Sequence, residues 1–134
     1  MASRGIRNNN PLNIRRGAKW KGLREVQTDP LFAQFTDMAW GIRAGAVLLR
    51  NYAKRYKAKN LWDIIHRWAP PQENDTEAYI HFVVRQTGIA ADAPLRLYGD
   101  HNALSGIVAA MARYECGARA DINLRNIENG WSLV

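Results

Sequence analysis

The sequence predicts a mainly α-helical single domain spanning residues 1–134. Three observations point there. Small and apolar residues recur at steps of three and four over several stretches, which places them on one face of a helix. Those stretches start beside residues that cap helices and stop at Pro or Gly. A chain of 134 residues, 47% of them hydrophobic, can bury a core without disulfide or metal staples. No internal repeat, linker or low-complexity segment breaks it, apart from three consecutive asparagines.

Residues 1–35 are rich in Gly, Asn, Pro and Arg and read as loop and tight turn, since Asn and Gly tolerate left-handed backbone and Pro11 restricts Asn10. REVQTDPLFAQF alternates weakly and predicts a short hairpin. Asp37 is placed to cap a helix from Met38 to about Tyr56, whose stripe is Ile42, Gly45, Ala46, Leu49 and Tyr52. Gly45 costs that helix some stability. A second helix is predicted over Leu61 to Trp68, stopped by Pro70-Pro71. NDTE then reads as a capping box, with Asn74 as cap and Glu77 reaching back. The helix it opens ends at Gly88. After a connection through ADAPLRLYGD, Asn102 is placed to cap a long helix, Ala103 to Cys116, with Gly117 as its stop. The last stretch, ADINLRNIENGWSLV, predicts a short turn of helix and a tail packing Trp131 and Leu133.

Composition excludes several functions. No apolar run approaches the ~18 residues of a membrane span. MASRGIRNNN has no apolar h-region, so the expectation is synthesis in a bacterial host cytoplasm without a signal peptide. Cys116 is the one cysteine, and His66, His81 and His101 lack metal-ligand spacing, so neither metal nor cofactor is expected. Nineteen Lys and Arg against twelve Asp and Glu give +7, which favours an anionic partner: nucleic acid, a membrane surface or a bacterial wall. Basic and aromatic residues interleave in NIRRGAKWKG and NYAKRYKAKN. Helix-turn-helix and RNA-binding signatures are absent, so no specific nucleic acid is expected.

Leu104, Ile107, Val108 and Met111 form one stripe, and the same steps carry it on to Glu115 in the last turn. Partial burial and the negative end of the helix dipole would both raise the pKa of a carboxyl group there. A glutamic acid protonated near neutral pH is the proton donor that glycosidic bond cleavage requires. The competing reading is a surface glutamate at a helix end whose stripe has drifted off the core.

ARYECG, residues 112–117, resembles the stretch around the catalytic glutamate of lytic transglycosylases and goose-type lysozymes. Cys116 stands where those enzymes carry Ser. NNPLNIR at 9–15 resembles the Asn-Leu-Phe-Gly-Ile-Lys element of the related glucosaminidases. WKG at 20–22, followed by Phe32 and Phe35, is similar to what comes after it there. PPQENDTEAYIHFVV at 70–84 is similar to the Pro, Glu-Thr, Tyr-Val pattern of transglycosylases. The order differs, because the glutamate helix comes last instead of first, as a circular permutation would produce. Over residues 4–117 the chain also looks like phage and prophage virion proteins that open with RGIRNNNPLNIR.

The resemblance implies a lysozyme-like fold with the catalytic-Glu helix permuted to the C-terminal end. It implies peptidoglycan glycan-strand cleavage, as lytic transglycosylase or muramidase, with Glu115 as general acid/base. Asn13 would lie on the cleft floor, or cap a turn. Tyr79 would orient the carboxyl group or sugar, or fill the core. Trp20 would stack on sugar or form a hydrophobic lid. Glu73 and Thr76 belong to the supporting pattern, and Glu73 reads more readily as a salt bridge to the Arg67–Pro70 turn. A hydrolase would need a second acid, for which Glu25 and Asp29 are the candidates. A transglycosylase needs one glutamate, and the single-acid mechanism is the preferred reading. Implied partners are peptidoglycan and other virion proteins. The site of action would be the cell wall, reached as a virion-associated or holin-released endolysin. The alternative is an inactive virion structural protein that keeps the fold.

Overall fold

The computed structural model describes residues 3–97, 101–117 and 122–134. Within them lie six helices: α1 (Arg4–Arg7), α2 (Met38–Tyr56), α3 (Leu61–Trp68), α4 (Thr76–Thr87), α5 (His101–Cys116) and α6 (Leu124–Ser132). The chain is mainly helical. The end of the predicted connection, 98–100, and the start of the predicted tail, within 118–121, lie outside the described residues.

α5 is the axis of the core. Leu104, Ile107, Val108, Ala110, Met111 and Ala112 are each 0% exposed, so its middle is buried all round, as a helix enclosed by other elements must be. α4 packs along it, and α1, α2 and α6 also reach it. α6 lies against α2 so closely that a Cβ on Gly130 would sit 2.5 Å from Ile42 Cγ2. α3 packs on α4 and contributes Leu61, Ile64 and Ile65 to the core.

The predicted bounds of α2 and α3 match the structure. Asp37 caps α2 by accepting from the Ala39 N–H at 2.8 Å. Gly88 (φ 73°) and Gly117 (φ 105°) take the left-handed backbone that stops α4 and α5. Four expectations need correction. Asp75, not Asn74, caps α4, accepting from Ala78 N–H at 3.1 Å; the Asn74 amide donates instead to the Pro70 carbonyl. α5 starts at His101, which puts Asn102 inside its first turn. The final stretch is a nine-residue helix rather than a single turn, and Leu133 remains 36% exposed. The hairpin reduces to two isolated bridges, Arg15 with Phe32 and Leu23 with Phe35.

Side chains do the work of a ladder in residues 8–36. The Gln27 side chain holds both backbone groups of Gln34: its Nε2 donates to the Gln34 carbonyl and its Oε1 accepts from the Gln34 N–H, both at 2.8 Å. Asn10 is fully buried. Its amide donates to the carbonyls of Ile14 and Ala33 while its oxygen accepts from Ile14 N–H, all at 2.9 Å. A buried amide so completely satisfied fixes a turn in one geometry. The turn then lies down on α2 at two glycines. A Cβ on Gly41 would meet the Asn9 carbonyl oxygen at 2.0 Å, and one on Gly45 the Leu12 side chain at 2.7 Å. The helix propensity lost at Gly45 is thus exchanged for close approach of the 9–13 segment.

Candidate functional site

Glu115 lies one turn beyond Met111 on the buried stripe of α5, half-buried where the helix leaves the core. Each of its carboxylate oxygens accepts a hydrogen bond from a different part of the chain. The Tyr79 hydroxyl, from α4, donates to Oε2 at 2.9 Å. The Asn13 amide, from the N-terminal turn, donates to Oε1 at 3.2 Å. These residues are 36 and 102 positions away in sequence.

Both donors are held by their surroundings. Tyr79 is 2% exposed, and its ring stacks on Tyr114 with centroids 4.0 Å apart. Burial and the neighbouring Glu115 carboxylate push its phenol well above the ordinary tyrosine value, so it stays protonated and can only donate to that carboxylate. Asn13 has a left-handed backbone (φ 52°), a conformation Asn tolerates better than most residues, and its N–H donates to the Asn10 carbonyl. Its side-chain oxygen is buried without a hydrogen-bond partner.

Cys116 anchors the same junction from behind. Its thiol donates to the Pro11 carbonyl at 3.2 Å, and burial pushes its pKa up, so it stays a thiol. A Cβ on Gly5 would meet Cys116 Sγ at 2.8 Å and Asn10 O at 2.9 Å. α1, α5 and the 9–13 turn therefore meet at van der Waals distance just beneath Glu115.

Glu115 opens into a cleft of about 420 Å³. Asn13, Arg15, Glu73 and Asn74 give it polar groups; Phe32, Tyr52 and Trp68 give it aromatic walls; Leu12, Ile14, Leu48, Ala69 and Pro70 complete the lining. The volume falls in the range of small-molecule sites, and a few convergent polar groups among apolar walls is their usual make-up. The carboxylate thus faces a cavity that could seat a sugar, with two neutral donors fixing its orientation.

The remaining predicted residues divide. Glu73 lines the cleft with its side chain exposed and forms no ion pair among the described residues. The expected salt bridge to the Arg67 turn is absent because the Arg67 guanidinium sits over the Tyr56 ring, 3.1 Å from its centroid. Thr76 is buried and donates to the Ala69 carbonyl at 2.6 Å, joining the start of α4 to the end of α3. Trp20 packs half-buried against the core and is not among the cleft-lining residues.

Neither Glu25 nor Asp29 lines the cleft. Glu25 is exposed. Asp29 is 7% exposed and committed elsewhere. It accepts from Arg4 Nε at 2.6 Å, Arg4 Nη2 at 2.5 Å, Asn8 Nδ2 at 2.9 Å, and the N–H groups of Leu31 and Phe32. The Arg4 guanidinium first, with these other donors, holds its carboxyl far below the usual range. A carboxylate so occupied ties α1 to the 29–32 turn and has no lone pair left for a substrate. Two contributors went unmarked in the sequence: Tyr114, which clamps Tyr79, and Asn10, which sets the turn carrying Asn13. A Tyr next to a candidate acid and a third Asn in a row were the only signals.

Among the described residues no cluster of His, Cys, Asp and Glu could hold a metal ion, and no helix is long and apolar enough to cross a membrane. No family model matches the chain. A relative in Pseudoalteromonas phage PM2, called Protein P5, is 45% identical over 121 residues, covering 87% of this chain and 73% of the relative.

Proposed function

The chain belongs to the family of Protein P5 of Pseudoalteromonas phage PM2, and we propose that it cleaves the glycan strands of peptidoglycan with Glu115 as general acid/base. The observation that carries this reading is the meeting of Asn13, Tyr79 and Glu115 at one carboxylate in an aromatic-walled cleft. The three were singled out from separate motifs of one resemblance, at the start, the middle and the end of the chain. Their convergence is what a permuted lysozyme-like fold would require, since moving the glutamate helix to the C-terminus leaves its spatial neighbours in place.

In the proposed reaction a strand lies along the cleft with a glycosidic oxygen at Glu115. The carboxyl group protonates that oxygen as the bond to the anomeric carbon breaks, and becomes a carboxylate. It then takes the proton of the same sugar's 6-hydroxyl, whose oxygen closes on the anomeric carbon to give an anhydro ring. Neither candidate second acid, Glu25 or Asp29, faces the cleft, so hydrolysis would have to enlist Glu73, the other carboxylate lining it; the single-acid course is the preferred reading. Tyr79 and Asn13 steady the carboxylate between the two proton transfers, as preorganised donors aimed at developing charge do. The net charge of +7 would draw the protein to an anionic wall.

The reading is tested by release of dye from labelled sacculi. Wild type should release it, and Glu115→Gln, folded but unable to give or take the proton, should fall to background. Folded wild type that releases nothing from several wall types would leave the fold serving as an inactive structural part of a virion.

A further inference from the structure

Two of the cleft's aromatic walls continue onto the outer surface. Tyr52 and Trp68 line the Glu115 cleft with ring centroids 6.3 Å apart. Tyr52 meets Tyr56, one turn further along α2, edge-on at 6.3 Å. Arg67 bridges the pair, its guanidinium 5.7 Å from the Tyr52 centroid and 3.1 Å from that of Tyr56. On the far side lies a second depression of about 550 Å³, lined by Tyr56, Lys57, Trp62, Asp63, His66 and Arg67. Trp62 lies tilted against His66 there, with ring centroids 4.1 Å apart. Tyr56 is 52% exposed and Trp62 47%, an unusual degree of exposure for two large rings lining one depression.

The charge around these rings is positive. Lys57 and Arg67 line the depression, and Lys54, Arg55 and Lys59, close by in the chain, are exposed. The one acid in the depression, Asp63, accepts from the Lys59 N–H and caps the chain locally. Lys57 has a left-handed backbone (φ 55°), at a helix end where Gly would be the unstrained choice. The NYAKRYKAKN segment thus interleaves aromatic faces with cations, the make-up that binds a flat ring and an anionic group together.

We propose that Tyr56, Lys57, Trp62 and Arg67 form a second, non-catalytic binding site for an anionic sugar polymer, next to the Glu115 cleft and set off from it by the Tyr52–Arg67 ridge. Sugars stack on the parts of the Tyr56 and Trp62 rings that Arg67 and His66 leave exposed, and carboxylates carried by the strand pair with Lys57 and Arg67. The choice of a wall glycan as ligand rests on the function proposed above, and the contact of the two depressions' walls, through Tyr52 with Tyr56 and Arg67, favours it over nucleic acid. The site would hold the protein on an insoluble wall while Glu115 works along it.

The test is cosedimentation with purified sacculi in the Glu115→Gln background, where binding is separated from cleavage. Tyr56→Ala with Trp62→Ala should weaken binding about tenfold. Lys57→Gln should weaken it and reduce its salt dependence without touching a ring. Thermal unfolding of each variant guards against a folding defect. Unchanged binding by all folded variants would overturn the site, even if wild type releases dye from sacculi. A tenfold loss with wild type unable to release dye would keep the site and remove the proposed activity. Binding to a mixed-sequence DNA oligonucleotide that these substitutions weaken, with sacculus binding unaffected, would also overturn it.

Discussion

Gly41→Ala should destabilise the protein, although the same change in most helices stabilises. In an unobstructed helix interior Ala is favoured over Gly by about 1 kcal/mol. At position 41 the new methyl would lie 2.0 Å from the Asn9 carbonyl oxygen and 3.1 Å from Pro11 Cδ. The first of these is a backbone atom in a turn fixed by Asn10, so it cannot rotate away. Overpacking costs ~1–3 kcal/mol, and a 2.0 Å contact with a backbone atom belongs in its upper part, ~2–3 kcal/mol; with the propensity gain of about 1 kcal/mol set against it the net loss is about 1–2 kcal/mol. A domain of 134 residues loses roughly 0.3 kcal/mol per degree near its melting point, so Tm should fall by about 3–7 °C. Gly106→Ala is the internal control. Gly106 is an exposed position within α5, where a Cβ would approach only Thr87 Cγ2, at 4.0 Å, and Tm should rise by about 2–3 °C. The assay is calorimetry of both variants beside wild type. Lifting the 9–13 turn from α2 also moves Asn13 from Glu115, so the proposed wall cleavage should fall further in Gly41→Ala than stability alone explains. Stabilisation of Gly41→Ala to the same degree as Gly106→Ala would refute the close packing of this turn, and with it the account of how Asn13 reaches the site.

Tyr79→Phe removes one hydrogen bond to a carboxylate while keeping the buried ring on Tyr114; kcat for wall cleavage should drop about 10- to 100-fold, since bonds to charged groups contribute ~1.5–3 kcal/mol. Its Tm should stay close to that of wild type, and a large fall would mean the hydroxyl is structural. The depressed pKa of Asp29 makes stability acid-sensitive: its contribution is complete above the unfolded carboxylate value of about 4 and is lost as pH falls below that, toward the folded value. Asp29→Asn should therefore flatten the decline of Tm between about pH 4 and pH 2, and an unchanged decline would count against the Arg4–Asp29 pair. Asp75→Ala should cost about 1 kcal/mol through loss of the α4 cap, whereas Asn74→Ala should cost less, as paired melts would show.

The helices were legible where the signal is local. Asp37, Pro70, Gly88 and Gly117 each act on their own few residues of backbone, and the ends they predict match. Glu115 was legible because its stripe runs unbroken from Leu104. Elsewhere the deciding contacts are distant in sequence. RGIR forms a turn of helix because Gly5 can press against Cys116 and Asn10, which no local pattern announces. Asn74 and Asp75 are both good caps by composition, and the Pro70 carbonyl that engages Asn74 decides between them. Asp29 resembled a catalytic acid because only its chain position was visible; Arg4, 25 residues away, fixes it as a structural one. Tyr114 gave no signal because stacking across α4 and α5 depends on helix azimuth.

The most direct measurement is mass spectrometry of the muropeptides released from purified peptidoglycan by wild type and by Glu115→Gln. Glu115 acting as the single acid/base predicts anhydro-muropeptides from wild type and none from the variant. Reducing-end products, or anhydro products undiminished in a folded Glu115→Gln, would contradict it.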